Sequence, residues 1–310
     1  LGHEGSGVIV KMGKNITMAT TGKPLTVGDR IVTCTIPCGH CDACLNMRDR
    51  DNLCENSGIY GLMPEDDHYH FNGWFSDYLV IRKGSTFFKV NDMSLKLRLL
   101  IEPAAVVVHA VERAKSTGLL TFNSNVLIQG VGPIGLMLLA VVRTMGVENI
   151  TVVDGDEKRL QMAKRFGAKY TVNFKNYKDL DEQLRRIKEV TGGRGADFAF
   201  QCTGVPSAAS NVWKFVKRGG GLAEIGFFVD NGSCTINPHF DICNKEITMV
   251  GSWTYKVSDY PITMDFLKRA VGIGLPIEEL VTHEFPLDQM NEAMDVNMKQ
   301  LGIKIAYVAK

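Results

Sequence analysis

The chain has 310 residues, with 35 Lys and Arg against 34 Asp and Glu, a net charge of +1 and 45% hydrophobic residues. This balance leaves no electrostatic footprint for nucleic acid or a membrane surface, and no apolar run approaches the roughly 20 residues of a bilayer span. The length suits two domains, each able to bury its own core.

In chain order, residues 1–10 predict a strand: Val8 and Val10 alternate after Gly2-His3-Glu4-Gly5. Residues 22–28 are turn-rich and 29–32 restart as a strand. Residues 38–54 have no usable periodicity and are expected as a loop. Residues 73–81 return to strand chemistry, so the first third reads as all-β. A helix is expected from Glu102 to about Ala114, with Pro103 in its first turn.

The segment that follows is the most informative. Residues 126–129 are a short apolar run of buried-strand type. They lead into Gly130-Val131-Gly132-Pro133-Ile134-Gly135, the G-x-G-x-x-G spacing. Residues 136–145 continue as an apolar helix ended by Gly146, and 149–154 form a second strand closing on Asp154. Gly130 permits a tight turn, Gly132 lets backbone approach a pyrophosphate, and Gly135 lets helix and strand pack closely. The helix N-terminus, with Pro133 and Ile134 in its first turn, offers unpaired N–H groups to phosphates. Asp154 lies nineteen residues beyond Gly135, where an acid accepts hydrogen bonds from the adenosine ribose. The combination predicts a dinucleotide site; the alternative is a sheet whose glycines serve packing alone. The charge of Asp154 favours NAD over NADP, although Lys158 and Arg159 are near enough to reach a 2′-phosphate.

Beyond Asp154 helices and strands alternate. Helices are expected over 156–166, 180–191 and 207–216, and strands over 170–172, 197–200, 222–227 and 247–251. This alternation means right-handed crossovers and a parallel sheet. From residue 261 the pattern gives a long helix, a strand at 280–285, a helix at 287–297 and a strand at 303–308. The expected organisation is 1–103, then a coenzyme-binding domain at 104–253 inserted before a return to the first domain at 254–310.

Five of the eight cysteines fall between Cys34 and Cys54, which marks a local site and not a chain-wide disulfide framework. Cys38, Cys41, Cys44 and Cys54 supply four thiolates within seventeen residues. That set suits a closed tetrahedral zinc site of structural type; disulfides and an iron–sulfur cluster are the alternatives. Cys34 and His40 read as non-ligands.

Together these residues resemble the zinc-dependent medium-chain dehydrogenase/reductase family, the alcohol and polyol dehydrogenases. The carriers are Gly2-His3-Glu4 with Gly5 and Gly7, Val27-Gly28-Asp29-Arg30-Ile31, the four-cysteine loop and Gly130 to Gly135. Gly193-Arg194-Gly195-Ala196-Asp197, Cys202-Thr203-Gly204, Gly219-Gly220 and Gly226 add to them. The resemblance implies an α/β fold: a doubly wound Rossmann sheet inserted in a mainly-β, GroES-like catalytic domain that is N-terminally incomplete here. It implies a catalytic zinc held by His3 and Glu102, with Glu4 as a ligand or beside the ligands, and places Cys202 and Thr203 among the NAD-binding residues. Glu102 fits the sorbitol and threonine dehydrogenase branch. His109, two turns further along the helix, is expected to border that site without a role in it.

Two departures stand out. The loop holds nine residues between its third and fourth cysteines where the family usually has seven, and a family cysteine ligand belongs upstream of Gly2. The natural protein is therefore expected to be longer at its N-terminus. The implied activity is NAD-dependent oxidation of a primary or secondary alcohol or polyol, in a cytoplasmic homodimer or homotetramer. Residues 63–71, with His68, Tyr69 and His70, are expected as a substrate-facing loop. The rival readings are a zinc-free reductase of the same superfamily and a non-catalytic nucleotide-binding scaffold.

Overall fold

A computed structural model describes residues 1–47, 49–64 and 70–309. The chain divides into two compact units, Leu1–Ala105 with Thr254–Lys268 and Glu278–Lys310, and Val106–Trp253 with Arg269–Ile277. Among the described residues no helix is long and apolar enough to cross a membrane.

The first unit contains a three-stranded antiparallel sheet of β1 (Ser6–Val8), β2 (Arg30–Thr33) and β3 (Phe87–Lys89), with Ser6 opposite Val32 and Ile31 opposite Lys89. Helix α1 (Asp42–Asn46) lies in the cysteine loop, which is thus not wholly irregular, and α2 (Leu95–Leu99) leads directly into α3 (Ile101–Lys115). Residues 73–81 hold no strand. Trp74 and Phe75 donate to the carbonyls of Gly2 and Leu1, but the Ser76 hydroxyl then binds the carbonyls of Gly73 and Tyr78 and bends the chain. Strand β3, three residues long, was too short to announce itself by alternation.

The second unit is a six-stranded parallel sheet in the order β6-β5-β4-β7-β8-β9. Its strands are β4 (Val126–Gln129), β5 (Ile150–Asp154), β6 (Tyr170–Asn173), β7 (Ala196–Gln201), β8 (Val216–Glu224) and β9 (Thr248–Gly251). The connecting helices are α4 (Pro133–Thr144), α5 (Glu157–Arg165), α6 (Leu180–Val190) and α7 (Pro206–Phe215). This is the doubly wound order, two mononucleotide-binding halves meeting between β4 and β7, and it bears out the expected Rossmann sheet.

The local causes are readable. Asp156 and Asp179 cap α5 and α6 by accepting from the Arg159 and Glu182 N–H groups. α4 is apolar almost all round, and Gly135 to Val142 are buried. β8 runs through its glycines instead of starting after them: a Cβ at Gly221 would sit 2.3 Å from the Phe198 ring, so glycine there makes room for a side chain of the neighbouring strand. Phe198 and Phe200 are fully buried with ring centroids 5.0 Å apart, each contributing about 1.5–3 kcal/mol of burial.

Helix α8 (Asp259–Gly272) starts in the first unit, which the chain completes with β10 (Val281–Phe285), α9 (Met290–Met298) and β11 (Lys304–Tyr307). The strands β10 and β11 pair in parallel, with α9 between them in sequence.

Candidate functional site

The segment before β1 is held by close packing against the Gly61 backbone and the Trp74 side chain. A Cβ at Gly61 would lie 2.1 Å from the Gly2 carbonyl oxygen, and one at Gly5 would lie 2.2 Å from Trp74 Cγ. This packing leaves His3 and Glu4 little freedom. Glu102 enters from the first turn of α3, where the positive end of the helix dipole favours an acid. One ligand atom from each of His3, Glu4 and Glu102 lies within 4.8 Å of the others, and His3 Nε2 is 3.9 Å from Glu4 Oε1.

Two further side chains shape this cluster. The Tyr255 hydroxyl donates to Glu102 Oε1 at 2.8 Å, and the Lys304 ammonium, from β11, pairs with Glu4. Tyr255 is buried, with its ring 5.3 Å from that of the fully buried Tyr260, whose hydroxyl donates to the Thr33 carbonyl. Burial and the neighbouring charge of Glu4 push the Glu102 carboxyl up to about 8, against the opposing pull of Tyr255 and Lys304. Two carboxylates and an imidazole gathered beside one lysine make an oxygen- and nitrogen-rich donor set. A divalent cation fits it, because the ion removes the repulsion that the packing imposes.

The cysteine loop makes a second donor set. The Sγ atoms of Cys38, Cys41, Cys44 and Cys54 lie within 4.8 Å of one another, and all four are free thiols. Cys41 precedes α1 and Cys44 lies within it, so the helix brings both to one place. The Cys38 N–H points at Cys54 Sγ at 3.2 Å and the His40 N–H at Cys38 Sγ at 3.5 Å. Backbone N–H groups of Cys44 and Glu55 bring the Cys41 thiol down to about 6. Cys44 receives the Gly39 N–H, yet burial and the surrounding sulfurs push it up to about 12. Four soft donors, with no further His, Cys, Asp or Glu grouped with them among the described residues, fit a tetrahedral zinc ion. Cys34 is buried elsewhere, its thiol held protonated by burial, and the exposed His40 turns its Nδ1 to the Cys38 carbonyl at 2.9 Å.

In the second unit, Gly130 has φ +88°, and a Cβ at Gly135 would lie 1.9 Å from the Gly130 carbonyl oxygen, so turn and helix meet without side chains between them. A Cβ at Gly132 would meet nothing within 4 Å, which leaves the backbone open to an approaching group. Gly132, Pro133 and Ile134 are half-buried at the N-terminus of α4, where no side chain caps the helix. Open backbone beside an uncapped helix N-terminus fits a pyrophosphate. Asp154 Oδ2 accepts from Val131 N–H at 2.8 Å, and its Oδ1 from the N–H groups of Gly155 and Asp156. The acid therefore braces the glycine turn from the neighbouring strand. Arg159 is half-buried in α5, and Cys202 and Thr203 follow β7.

Sequence reasoning had not singled out Tyr255 or Lys304, since no local pattern links either to a residue 150 or more positions away. His109 is buried within α3. His70 is exposed, whereas His68 and Tyr69 lie outside the described residues.

Comparison with known proteins agrees with this layout. Residues 1–92 match the model of the alcohol dehydrogenase GroES-like domain and residues 133–269 that of the zinc-binding dehydrogenases. The chain is 34% identical over 296 residues to a sorbitol dehydrogenase of Bacillus subtilis, covering 95% of this chain and 76% of that protein. An alcohol dehydrogenase from Thermotoga maritima superposes with a TM-score of 0.91 at 28% identity, covering 100% of this chain and 84% of the other. The 2R,3R-butanediol dehydrogenase of Bacillus subtilis gives 0.80 at 27% identity, covering 99% and 79%. The chain belongs to the zinc-dependent medium-chain dehydrogenases, oxidoreductases acting on the CH–OH group of alcohols and polyols.

Proposed function

We propose that this protein oxidises a polyol at one carbinol carbon with NAD⁺, using His3, Glu4 and Glu102 to hold one zinc ion and Cys38, Cys41, Cys44 and Cys54 to hold another. The observation that carries this reading is the convergence of His3, Glu4 and Glu102, with ligand atoms within 4.8 Å of one another. When bound, zinc supplies the Lewis acidity that lowers the pKa of a substrate hydroxyl, and NAD⁺ supplies the acceptor for the hydride.

The chain's own residues do the positioning. Tyr255, buried and hydrogen-bonded to Glu102 Oε1, fixes the orientation of that carboxylate. Lys304 offsets the charge of Glu4 and keeps it within the cluster. An acid, an acid and an imidazole form a harder donor set than thiolates, which suits a hydroxyl-rich substrate. The open backbone at Gly132 and the N-terminus of α4 take the pyrophosphate. Residues Gly130, Pro133, Ile134, Gly135, Arg159, Cys202 and Thr203 border the same dinucleotide. The sorbitol and butanediol activities of the relatives support a substrate with neighbouring hydroxyl groups.

The test is zinc stoichiometry together with NAD⁺ reduction on a panel of diols, polyols and simple alcohols. Two zinc ions per chain and turnover of the vicinal diols are expected. Turnover that persists after removal of all zinc would sink this reading.

The same site fixes the coenzyme. Asp154 places a negative charge where a 2′-phosphate would lie, and like charges a few ångströms apart cost on the order of 1–4 kcal/mol at effective dielectrics of 80 to 20. NAD⁺ is expected to be used better than NADP⁺, and Asp154→Ala to narrow the gap. Part of that variant's loss should fall on both coenzymes alike, because Asp154 also holds the Val131 N–H. Steady-state kcat/KM for the two coenzymes reads this directly, and a wild-type preference for NADP⁺ would refute it.

A further inference from the structure

The strand order separates the dinucleotide site into two halves. β4, β5 and β6 form the half that ends on Asp154, and β7, β8 and β9 form the half that takes the nicotinamide mononucleotide. Ligands of such sheets lie beyond the carboxyl ends of the strands. At that end of β8 the chain carries an acid, Glu224, in Leu222-Ala223-Glu224-Ile225-Gly226.

Glu224 is fixed by its surroundings. Its Oε1 accepts from Gly226 N–H at 2.8 Å, and the N–H groups of Ile225 and Phe227 also face the carboxylate. Its own carbonyl accepts from Ser252 N–H, just beyond β9, at 3.0 Å. Gly226 in turn lies against the loop after β7: a Cβ there would sit 2.2 Å from the Thr203 carbonyl oxygen and 2.6 Å from Gln201 Oε1. Gln201 is tied to Thr203 at both ends of its amide, by Nε2 to the carbonyl at 2.7 Å and by Oε1 to the N–H at 2.5 Å. The carboxylate thus stands on a crest where β7, β8 and β9 end together. It is only half-buried, so it borders the space beyond the strand ends.

Nothing among the described residues neutralises this acid. Among the described residues no lysine or arginine contributes to its environment, and Cys202, at the end of β7, is the titratable neighbour that feels its charge. Burial pushes the Glu224 carboxyl up to about 7, while the three N–H groups pull it down. At pH 8 it is mostly anionic. A fixed, unpaired negative charge at the nicotinamide half distinguishes the two redox forms of the coenzyme, because the oxidised ring is a cation and the reduced ring is neutral.

We infer that Glu224 is the counter-charge for the oxidised nicotinamide ring and makes this site hold NAD⁺ in preference to NADH. This rests on the dinucleotide reading of the site proposed above. The consequence is directional: NADH, lacking the ring charge, leaves more readily after alcohol oxidation.

The experiment is equilibrium binding at pH 8 of NAD⁺, NADH and ADP-ribose, which lacks the nicotinamide ring, to the wild type, Glu224→Gln and Glu224→Asp. Gln keeps the shape and one acceptor oxygen but removes the charge; Asp keeps the charge and both acceptor oxygens. In Glu224→Gln, NAD⁺ affinity should fall about fivefold, the effect of one fixed charge several ångströms from the ring in a partly solvated site. NADH and ADP-ribose should stay within about twofold, and Glu224→Asp should retain the wild-type ratio of NAD⁺ to NADH affinity. If Glu224→Gln does not fold, loss of that ratio in Glu224→Asp, with ADP-ribose still bound, overturns the inference. NAD⁺ and NADH weakening together, or neither changing, also overturns it. Failure of all three ligands to bind the wild type removes the dinucleotide reading itself and this inference with it.

Discussion

Replacing His3 with alanine should lower alcohol-dependent NAD⁺ reduction by roughly a thousandfold or more and remove one of two zinc ions per chain. The expected size follows from the several kcal/mol of charge stabilisation that a metal gives a developing alkoxide, at tenfold in rate per 1.36 kcal/mol. Among the described residues His3 carries the only nitrogen ligand of its cluster, so its loss leaves two carboxylates beside Lys304, a poorer and more mobile donor set. NAD⁺ binding should stay within about twofold, since the glycine turn and α4 are untouched. Tyr255→Phe should act more gently, because it loosens Glu102 without removing a ligand. Elemental analysis and coenzyme titration on the same preparations separate a lost ligand from a lost fold. A His3→Ala enzyme with full activity and two zinc ions would overturn the ligand assignment.

The second large effect belongs to the cysteine loop. Cys44→Ser should cost the other zinc ion and depress the thermal midpoint by roughly 5–15 °C, equivalent to several kcal/mol for a chain with domains of this size. The mechanism is specific: with one sulfur gone, three thiolates remain crowded within a few ångströms, and α1 loses the anchor that holds its start and its middle together. The coenzyme unit has its own core around Leu127, Val153 and Phe215 and should retain ADP-ribose binding. Zinc content and a calorimetric scan are the readouts. A variant that melts like the wild type would show that the loop needs no metal.

The parts of the fold that were legible in the sequence are those whose causes are local. Strand, glycine turn, helix and acid from Val126 to Asp154 lie within one continuous unit, and each residue type has one backbone job, so spacing sufficed. The cysteine quartet was legible for the same reason. Residues 73–81 misled because aromatic and branched residues alternate there as in a strand, while the deciding group was one hydroxyl, Ser76, bound to two carbonyls. The start of β8 was misplaced because its glycines look like breakers, and their use is visible only from the next strand, where Phe198 fills the space. Tyr255 and Lys304 were illegible because their significance lies wholly in partners far along the chain. His3, Glu4 and Glu102 were joined by resemblance, not by any pattern linking residue 4 to residue 102.

The two donor sets differ in when they can exist. The four cysteines lie within seventeen residues, so closing them into one shell costs little loop entropy, and a ribosome has only to release the first third of the chain for that ion to be captured. The other cluster draws on residues 3, 4 and 102, is braced by Tyr255, and is neutralised by Lys304 from the last strand. Because synthesis runs from the N-terminus, this centre is completed only after β11 has been made, and a chain stalled before β11 leaves Glu4 without its lysine. Refolding in the presence of zinc should accordingly protect the loop thiols from alkylation before alcohol turnover returns; simultaneous recovery of the two would contradict this order.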